Sequence, residues 1–478
     1  MVFICDKNQE GKLIMKNYFI LGLILFFAAQ KMDAKVVLPA IFGNGMVLQQ
    51  QAQVKVWGKA KANAEVSIAA SWGRQLIRVK ADQVGNWHTT LATPAAGGPY
   101  RLTFSDGEQL TLSDVLIGEV WLCSGQSNME MPVKGFGNQP ILNANDILLD
   151  ADEPGVRLFR VTKNMSRTPL TEITDAWQHS NSETVKEFSA IGYQFARVLQ
   201  QRLKVPVGMI QCAYGGTDIE AWMSKKSLIG FDDFKNPPDT AKMTKNDAAV
   251  LYNAMLTPVM GFHIKGVLWY QGENNRVNPL TYDRKMAAMV SDWRTQWGIG
   301  NWPFYYVQIA PNVYKDNKEN VPLLYEAQAR AMSLIANSGM VVSVDAGSQF
   351  TIHPPDKTII SKRLAYWAMA KTYGRTGIAY AGPVFQSLKI NGEKAIVSFD
   401  QIPLGLTAYQ QKITSFEIAG SDRVFHPAVA VISGKTVVVQ SENVKQPIAV
   451  RYCFSDNAVG NLYNVEGLPL GPFRTDSW

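Results

Sequence analysis

A serine hydroxyl becomes a nucleophile only where a base can take its proton and N–H donors can hold the oxyanion that follows. The stretch Trp121-Leu-Cys-Ser-Gly-Gln-Ser-Asn-Met-Glu-Met-Pro132 offers a serine in such a setting. Leu116, Ile117, Val120, Trp121 and Leu122 predict a buried strand, and Gly125-Gln126-Ser127-Asn128 predicts a tight turn at its carboxyl end. That end of a parallel strand is where α/β enzymes keep their reactive groups. The Gly-x-Ser-x-Gly elbow of the α/β-hydrolases does not fit, because Met129 stands where it needs a second glycine. Ser127 is the candidate nucleophile.

The base must come from His88, His179, His263, His353 or His426. His88 and His426 fall in strand-rich flanking regions, and His179 in an irregular stretch. His263 opens a predicted strand whose far end is Gln271, which sets it at the opposite edge. His353 lies in Asp345-Ala-Gly-Ser-Gln-Phe-Thr-Ile-His-Pro-Pro-Asp-Lys357, a loop leaving a predicted strand, and position favours it. Two further strand ends carry donors. Gln211-Cys-Ala-Tyr-Gly-Gly-Thr217 has paired glycines, which allow close backbone approach and present N–H groups. Trp269-Tyr-Gln-Gly-Glu-Asn-Asn275 has side-chain amides able to donate to an oxyanion.

These residues need a scaffold that gathers several strand ends. Over residues 115–380 strands and helices alternate: helices at 191–203, 280–297 and 321–335, strands at 207–211, 262–270, 304–309 and 340–344. This order predicts an α/β domain of three layers, a parallel sheet covered by helices on both faces. Residues 134–184, rich in Asn, Asp and Pro, predict a long insertion over the sheet edge and a candidate substrate loop. Before it, residues 35–114 alternate apolar positions between turn signals and predict an N-terminal β-sandwich. Short strands return over 381–478, a C-terminal β-rich region. At 478 residues the chain exceeds one compact domain.

Composition narrows the class. Hydrophobic residues make up 46% and charged residues 18%, as in a globular protein. The net charge of +7 is spread along the chain with no basic run, which argues against a nucleic-acid partner. Residues 1–34 read as a leader with a signal peptide at 15–34. Lys16 precedes an apolar run from Tyr18 to Ala29, cleavage falls between Ala29 and Lys35, and Met15 is a candidate start. The expectation is an exported protein, periplasmic or secreted, with no membrane span once the signal is removed. Processing removes Cys5 and leaves Cys123, Cys212 and Cys453, read as buried free thiols. No spaced Cys or His cluster points to a metal.

In order along the chain, Gly125–Met129, Gly215-Gly216, Gln271–Asn275 and His353-Pro354 resemble the blocks of the SGNH (GDSL-like) hydrolases, in their sialate O-acetylesterase branch. Ile352-His-Pro-x-x-Lys357, Asn461-Leu-Tyr-Asn-x-Glu-Gly-Leu-Pro469 and Pro472-Phe-Arg474 are also similar to that family. The resemblance runs from about Leu38 to Trp478. It implies an SGNH-type catalytic domain with Ser127 as nucleophile, His353 as general base, and the Ser127 and Gly216 backbones as oxyanion donors. Gln126, Gln271, Asn274 and Asn275 are the implied amide donors or substrate contacts. The SGNH pattern usually orients its histidine with an aspartate three residues earlier, and here Phe350 stands there. Asp345 is the leading substitute, with Asp356, Glu273 or a main-chain carbonyl as alternatives. The implied reaction is removal of O-acetyl groups from sialic acid through an acetyl-enzyme, with no metal or organic cofactor. Acetylated xylan or another acetylated glycan is the alternative substrate. A non-catalytic carbohydrate-binding protein on the same scaffold is the alternative of another class. Nothing in the sequence fixes an oligomeric state.

Overall fold

The computed structural model describes residues 35–234, 238, 240–314, 320–348 and 350–478. The leader read at 1–34, with its signal segment and Cys5, lies outside the described residues.

Seven strands lead to the serine: β1 (Val47–Gln49), β2 (Gln53–Lys59), β3 (Glu65–Ala70), β4 (Leu76–Lys80), β5 (Asn86–Ala92), β6 (Gly97–Ser105) and β7 (Gln109–Gly125). The pair β2–β5 forms one layer, and β4, β3, β6 and the start of β7 form the other. Trp87 of β5 meets Phe104 of β6 between them, ring centroids 5.8 Å apart. β7 does not stop at the expected boundary between residues 114 and 115. Its first part pairs antiparallel with β6, and its second part runs on as the centre of a parallel sheet. Asp114, at φ 56, bends the strand where its pattern changes from half-exposed to continuously buried. One hydrophobic core accordingly spans the N-terminal strands and the central domain.

The central sheet has the order β13-β12-β11-β7-β10-β8-β9, with β8 (Val156–Arg160), β9 (Trp177–His179), β10 (Val207–Ala213), β11 (Gly266–Tyr270), β12 (Phe304–Val307) and β13 (Ser338–Val341). All neighbours are parallel except β8 and β9. The expectation that 134–184 is an irregular insertion is corrected here, because β8 and β9 lie inside it. Two arginines in the five-residue run Val-Arg-Leu-Phe-Arg hide a strand that the sheet nevertheless buries.

Three short helices, α1 (Ser127–Glu130), α2 (Ala144–Leu149) and α3 (Ser182–Lys186), lie between β7 and β10. Four longer ones cover the sheet: α4 (Ala190–Leu203), α5 (Tyr282–Trp297), α6 (Val321–Leu334) and α7 (Lys357–Trp367). Their ends follow local chemistry. Ser189 caps α4 by accepting from Gly192 N–H at 3.0 Å, and Lys204 in a left-handed conformation closes it before Pro206. Asp356 caps α7 through Ile359 N–H at 3.1 Å. From β7 the chain reaches β10 on one side through α4, then crosses back to β11, β12 and β13 on the other. That reversal makes β7 the switch point, and right-handed crossovers place α4 opposite α5 and α6.

Cys123, Cys212 and Cys453 are free and buried. Cys123 pairs in register with Gln211, and Cys212 with Ser124, so the two thiols point to opposite faces of neighbouring strands. Beyond Gly382 lies a four-stranded sheet ordered Val384–Asn391, Lys394–Asp400, Thr436–Gln440, Val429–Ser433, with a second small sheet around Phe416–Ala419. These strands enclose a separate core that includes Val397, Ile418, Val437 and Tyr452. The Arg474 element binds the central domain through an ion pair to Glu326 of α6 at 3.1 Å.

Candidate active site

The serine turn is set by close approach of two strand ends. Gly125 has φ 135, and a Cβ there would stand 2.1 Å from the Tyr270 carbonyl oxygen. Gln126 N–H donates to that same oxygen at 2.9 Å, locking the end of β7 to the end of β11. Ser127 then opens α1. As a first helical residue its N–H has no acceptor within the helix, so it faces outward as a donor. Gly215 packs directly on the serine: a Cβ built there would lie 3.1 Å from Ser127 Cβ.

His353 is half-buried and held from the 134–184 region. The Gln139 side-chain oxygen bonds its Nδ1, and the Phe136 ring stands edge-on at 5.2 Å. A carbonyl oxygen can only accept, so Nδ1 carries the proton and Nε2 presents its lone pair. Nε2 is buried and has no hydrogen-bond partner among the described residues. Burial, and secondarily the Lys357 charge, lowers the His353 pKa to about 4. The ring is therefore neutral at physiological pH, the form a base requires.

One asparagine joins the parts. Asn128 Nδ2 donates to Glu273 Oε1 at 2.5 Å and to the Ile352 carbonyl at 3.0 Å, while Lys357 Nζ donates to its Oδ1 at 2.5 Å. The residue after the serine is thereby bonded to the residue before the histidine, to the amide loop and to α7. Asn128, Glu273 and Lys357 are at most 2% exposed. Burial pushes Lys357 down to about 7 and Glu273 upward, both toward their neutral forms.

The glycine turn is clamped on both sides. Gly215 N–H donates to Glu130 Oε2 at 2.5 Å, and Lys245 Nζ donates to the Gly215 carbonyl at 2.6 Å. In a trans peptide the N–H points opposite to the carbonyl, so Lys245 directs the Gly216 N–H away from itself. In the amide loop, Gln271 gives both hydrogens of its amide to the Thr217 carbonyl at 2.8 Å and Asn275 Oδ1 at 2.7 Å. Asn275 Nδ2 donates to Glu220 at 3.0 Å, and Gln126 Oε1 accepts from Gly272 and Asn274 N–H. These three side chains are at most 3% exposed. They tie the turns together, and for Gln271, with both amide hydrogens spent, this corrects its reading as an oxyanion or substrate contact. Asn274 is less enclosed; it spends one amide hydrogen on Asp218, whose pKa burial raises to about 6.

Asp345 does not reach the histidine. Both its oxygens bind Arg363, at 2.7 and 2.6 Å, joining the loop after β13 to α7, and the two side chains are 8% and 5% exposed. Asp356 caps α7, and Glu273 bonds Asn128 through Oε1, its Oε2 having no hydrogen-bond partner among the described residues. The acceptor on the histidine is Gln139, which the sequence reading missed, since a neutral amide leaves no titratable signature. Its one visible signal was the Gly135-Phe-Gly137 turn. Gly135 has φ 78, and a Cβ there would stand 2.3 Å from the Gln139 carbonyl. No group of three or more His, Cys, Asp or Glu among the described residues is placed to hold a metal ion.

A serine turn at the switch point of a parallel sheet, with a histidine loop docked on it, is the architecture of an SGNH-type hydrolase. Residues 117–358 match the family model for carbohydrate esterases described as sialic acid-specific acetylesterase. The chain is 30% identical over 433 residues to the sialate O-acetylesterases of Pongo abelii and Homo sapiens, covering 82% of this chain and 81% of each relative. It is similar in structure to a novel carbohydrate acetylesterase from Xanthomonas citri, with TM-score 0.85 and 36% identity, covering 93% of this chain and all of that one. The chain belongs to the sialic acid-specific acetylesterase family of carbohydrate esterases and is a carboxylic ester hydrolase.

Proposed function

We propose that this esterase removes O-acetyl groups from sialic acids through an acetyl-enzyme on Ser127. The observation that carries the reading is the free, buried Nε2 of a neutral His353 whose Nδ1 is held by Gln139, in a loop bonded to the serine turn through Asn128. Ser127 Oγ attacks the acetyl carbonyl while Nε2 takes its proton. The Ser127 and Gly216 N–H groups and the second amide hydrogen of Asn274 receive the oxyanion. The sugar hydroxyl leaves with the proton from His353. The same nitrogen then activates a water that releases acetate and restores the serine.

The mammalian relatives named sialate O-acetylesterase support the sialate as substrate. A second reading, an acetylated xylan or other polysaccharide, draws support from the broader name of the Xanthomonas relative. The apolar run at 18–29 supports export, to the periplasm or the medium. No helix of the described residues is long and apolar enough to cross a membrane. Acetate release from O-acetylated sialic acid and from acetylated xylo-oligosaccharide, compared by kcat/KM, tests the substrate. Preference for the sialate is expected; preference for the xylan fragment moves the reading to the second.

A further inference from the structure

A cavity of about 580 Å³ opens beside the serine turn, lined among others by Glu130, Lys134, Phe136, Arg160, Lys163 and Glu187. Two of its lining residues adjoin the reacting pair. Glu130 closes the helical turn that Ser127 begins and binds Gly215, and Phe136 stands against His353. Arg160 ends β8 at the same sheet edge. It pairs in register with Gln211, which in turn pairs with Cys123. That places it two strand spacings, about 10 Å, from the strand that delivers the serine.

The carboxylates around Arg160 are committed elsewhere. Glu187 pairs with Lys134 at 2.7 Å, Glu130 with Lys163 at 2.7 Å, and Asp175 accepts from Thr162 N–H and hydroxyl at 2.9 and 2.6 Å. The Arg160 guanidinium bonds the Glu187 main-chain carbonyl at 2.9 Å and has no ion pair among the described residues. The wall thus carries one unneutralised planar cation, with a fork suited to a carboxylate.

We infer that this cavity is the sugar subsite of the esterase and that Arg160 docks the carboxylate of an anionic sugar whose acetyl ester lies at Ser127. A nine-carbon acid, with its carboxylate at one end and a hydroxylated tail at the other, has the two groups such a site separates. The inference rests on the esterase reading above. It assigns the choice of an acidic over a neutral sugar to a residue outside the reacting set.

The test compares acetate release from O-acetylated sialic acid and from its carboxyl methyl ester, which has the same shape without the charge. Wild type is expected to favour the free acid by about 10- to 100-fold in kcat/KM, the range of a charge-assisted pair. Arg160→Met is expected to bring that ratio near one, and Arg160→Lys to leave it between. Equal rates on the two substrates by wild type overturn the inference without any variant. So does a ratio in Arg160→Met equal to that of wild type. An aryl acetate separates the two levels: its hydrolysis by wild type with no acid preference defeats this inference alone, whereas its inertness defeats the esterase reading.

Discussion

At the residue scale, a half-buried neutral histidine is held by a neutral partner. Gln139 fixes the His353 tautomer but brings no charge to the imidazolium, and burial keeps the pKa at about 4. This value lies below the ordinary 6.5, so the folded protein favours the neutral ring. The stability it contributes is present above about pH 6.5 and is lost as pH falls toward about 4. The acid limb of kcat/KM should therefore lie well below the usual histidine range. Gln139→Glu places a carboxylate on Nδ1 and should move that limb upward by about 1–3 pH units; an unmoved pH profile would show that Gln139 does not hold the base. Asp345 belongs to stability rather than to the reaction. Asp345→Asn leaves Arg363 buried with a weakened partner and should cost about 3–5 kcal/mol in urea unfolding. Its acid limb should stay in place, and a shifted limb would return Asp345 to the histidine. Ser127 and His353 stand out in the sequence as candidates because their chemistry is distinctive and their positions can be sorted by strand ends. Gln139 does not, and Gln271 misled, because sequence shows that an amide is present but not where its hydrogens are spent.

At the scale of elements, the site depends on strand ends touching. β7 and β11 meet so closely at Gly125 that a methyl group would collide with the Tyr270 carbonyl at 2.1 Å. Gly125→Ala should destabilise the fold by at least about 2 kcal/mol and lower kcat with it. A soluble variant with wild-type urea midpoint and turnover would contradict this packing. The alternation of helices and strands from Ala190 to Trp367 was readable from apolar spacing, with ends displaced by a few residues. β8 was not readable, since both its arginines interrupt the apolar signal within five residues. Its place in the sheet is nevertheless what carries Arg160 to the cavity edge.

At the scale of the whole molecule, the composition shift near residue 114 marked a real change of environment but not a break in the chain. β7 belongs to both regions, and one core runs through them. The N-terminal strands and the central sheet should therefore unfold together. Tryptophan fluorescence and loss of activity are expected to share one urea midpoint, and separate midpoints would mean that the N-terminal layers fold on their own. The C-terminal strands keep a core of their own and lean on α6 through Arg474. The final motifs of the chain thus brace the catalytic domain, which sequence similarity could mark but not explain. The proposed reaction turns on Ser127 carrying the acetyl group. The most direct measurement is rapid acid quenching during turnover of O-acetylated sialic acid, followed by peptide mass analysis. One acetyl group is expected on the peptide containing Ser127, and none in Ser127→Ala, whose kcat should fall at least about 10³-fold. Turnover that persists in Ser127→Ala, or that acetylates a different residue in the wild type, would contradict it.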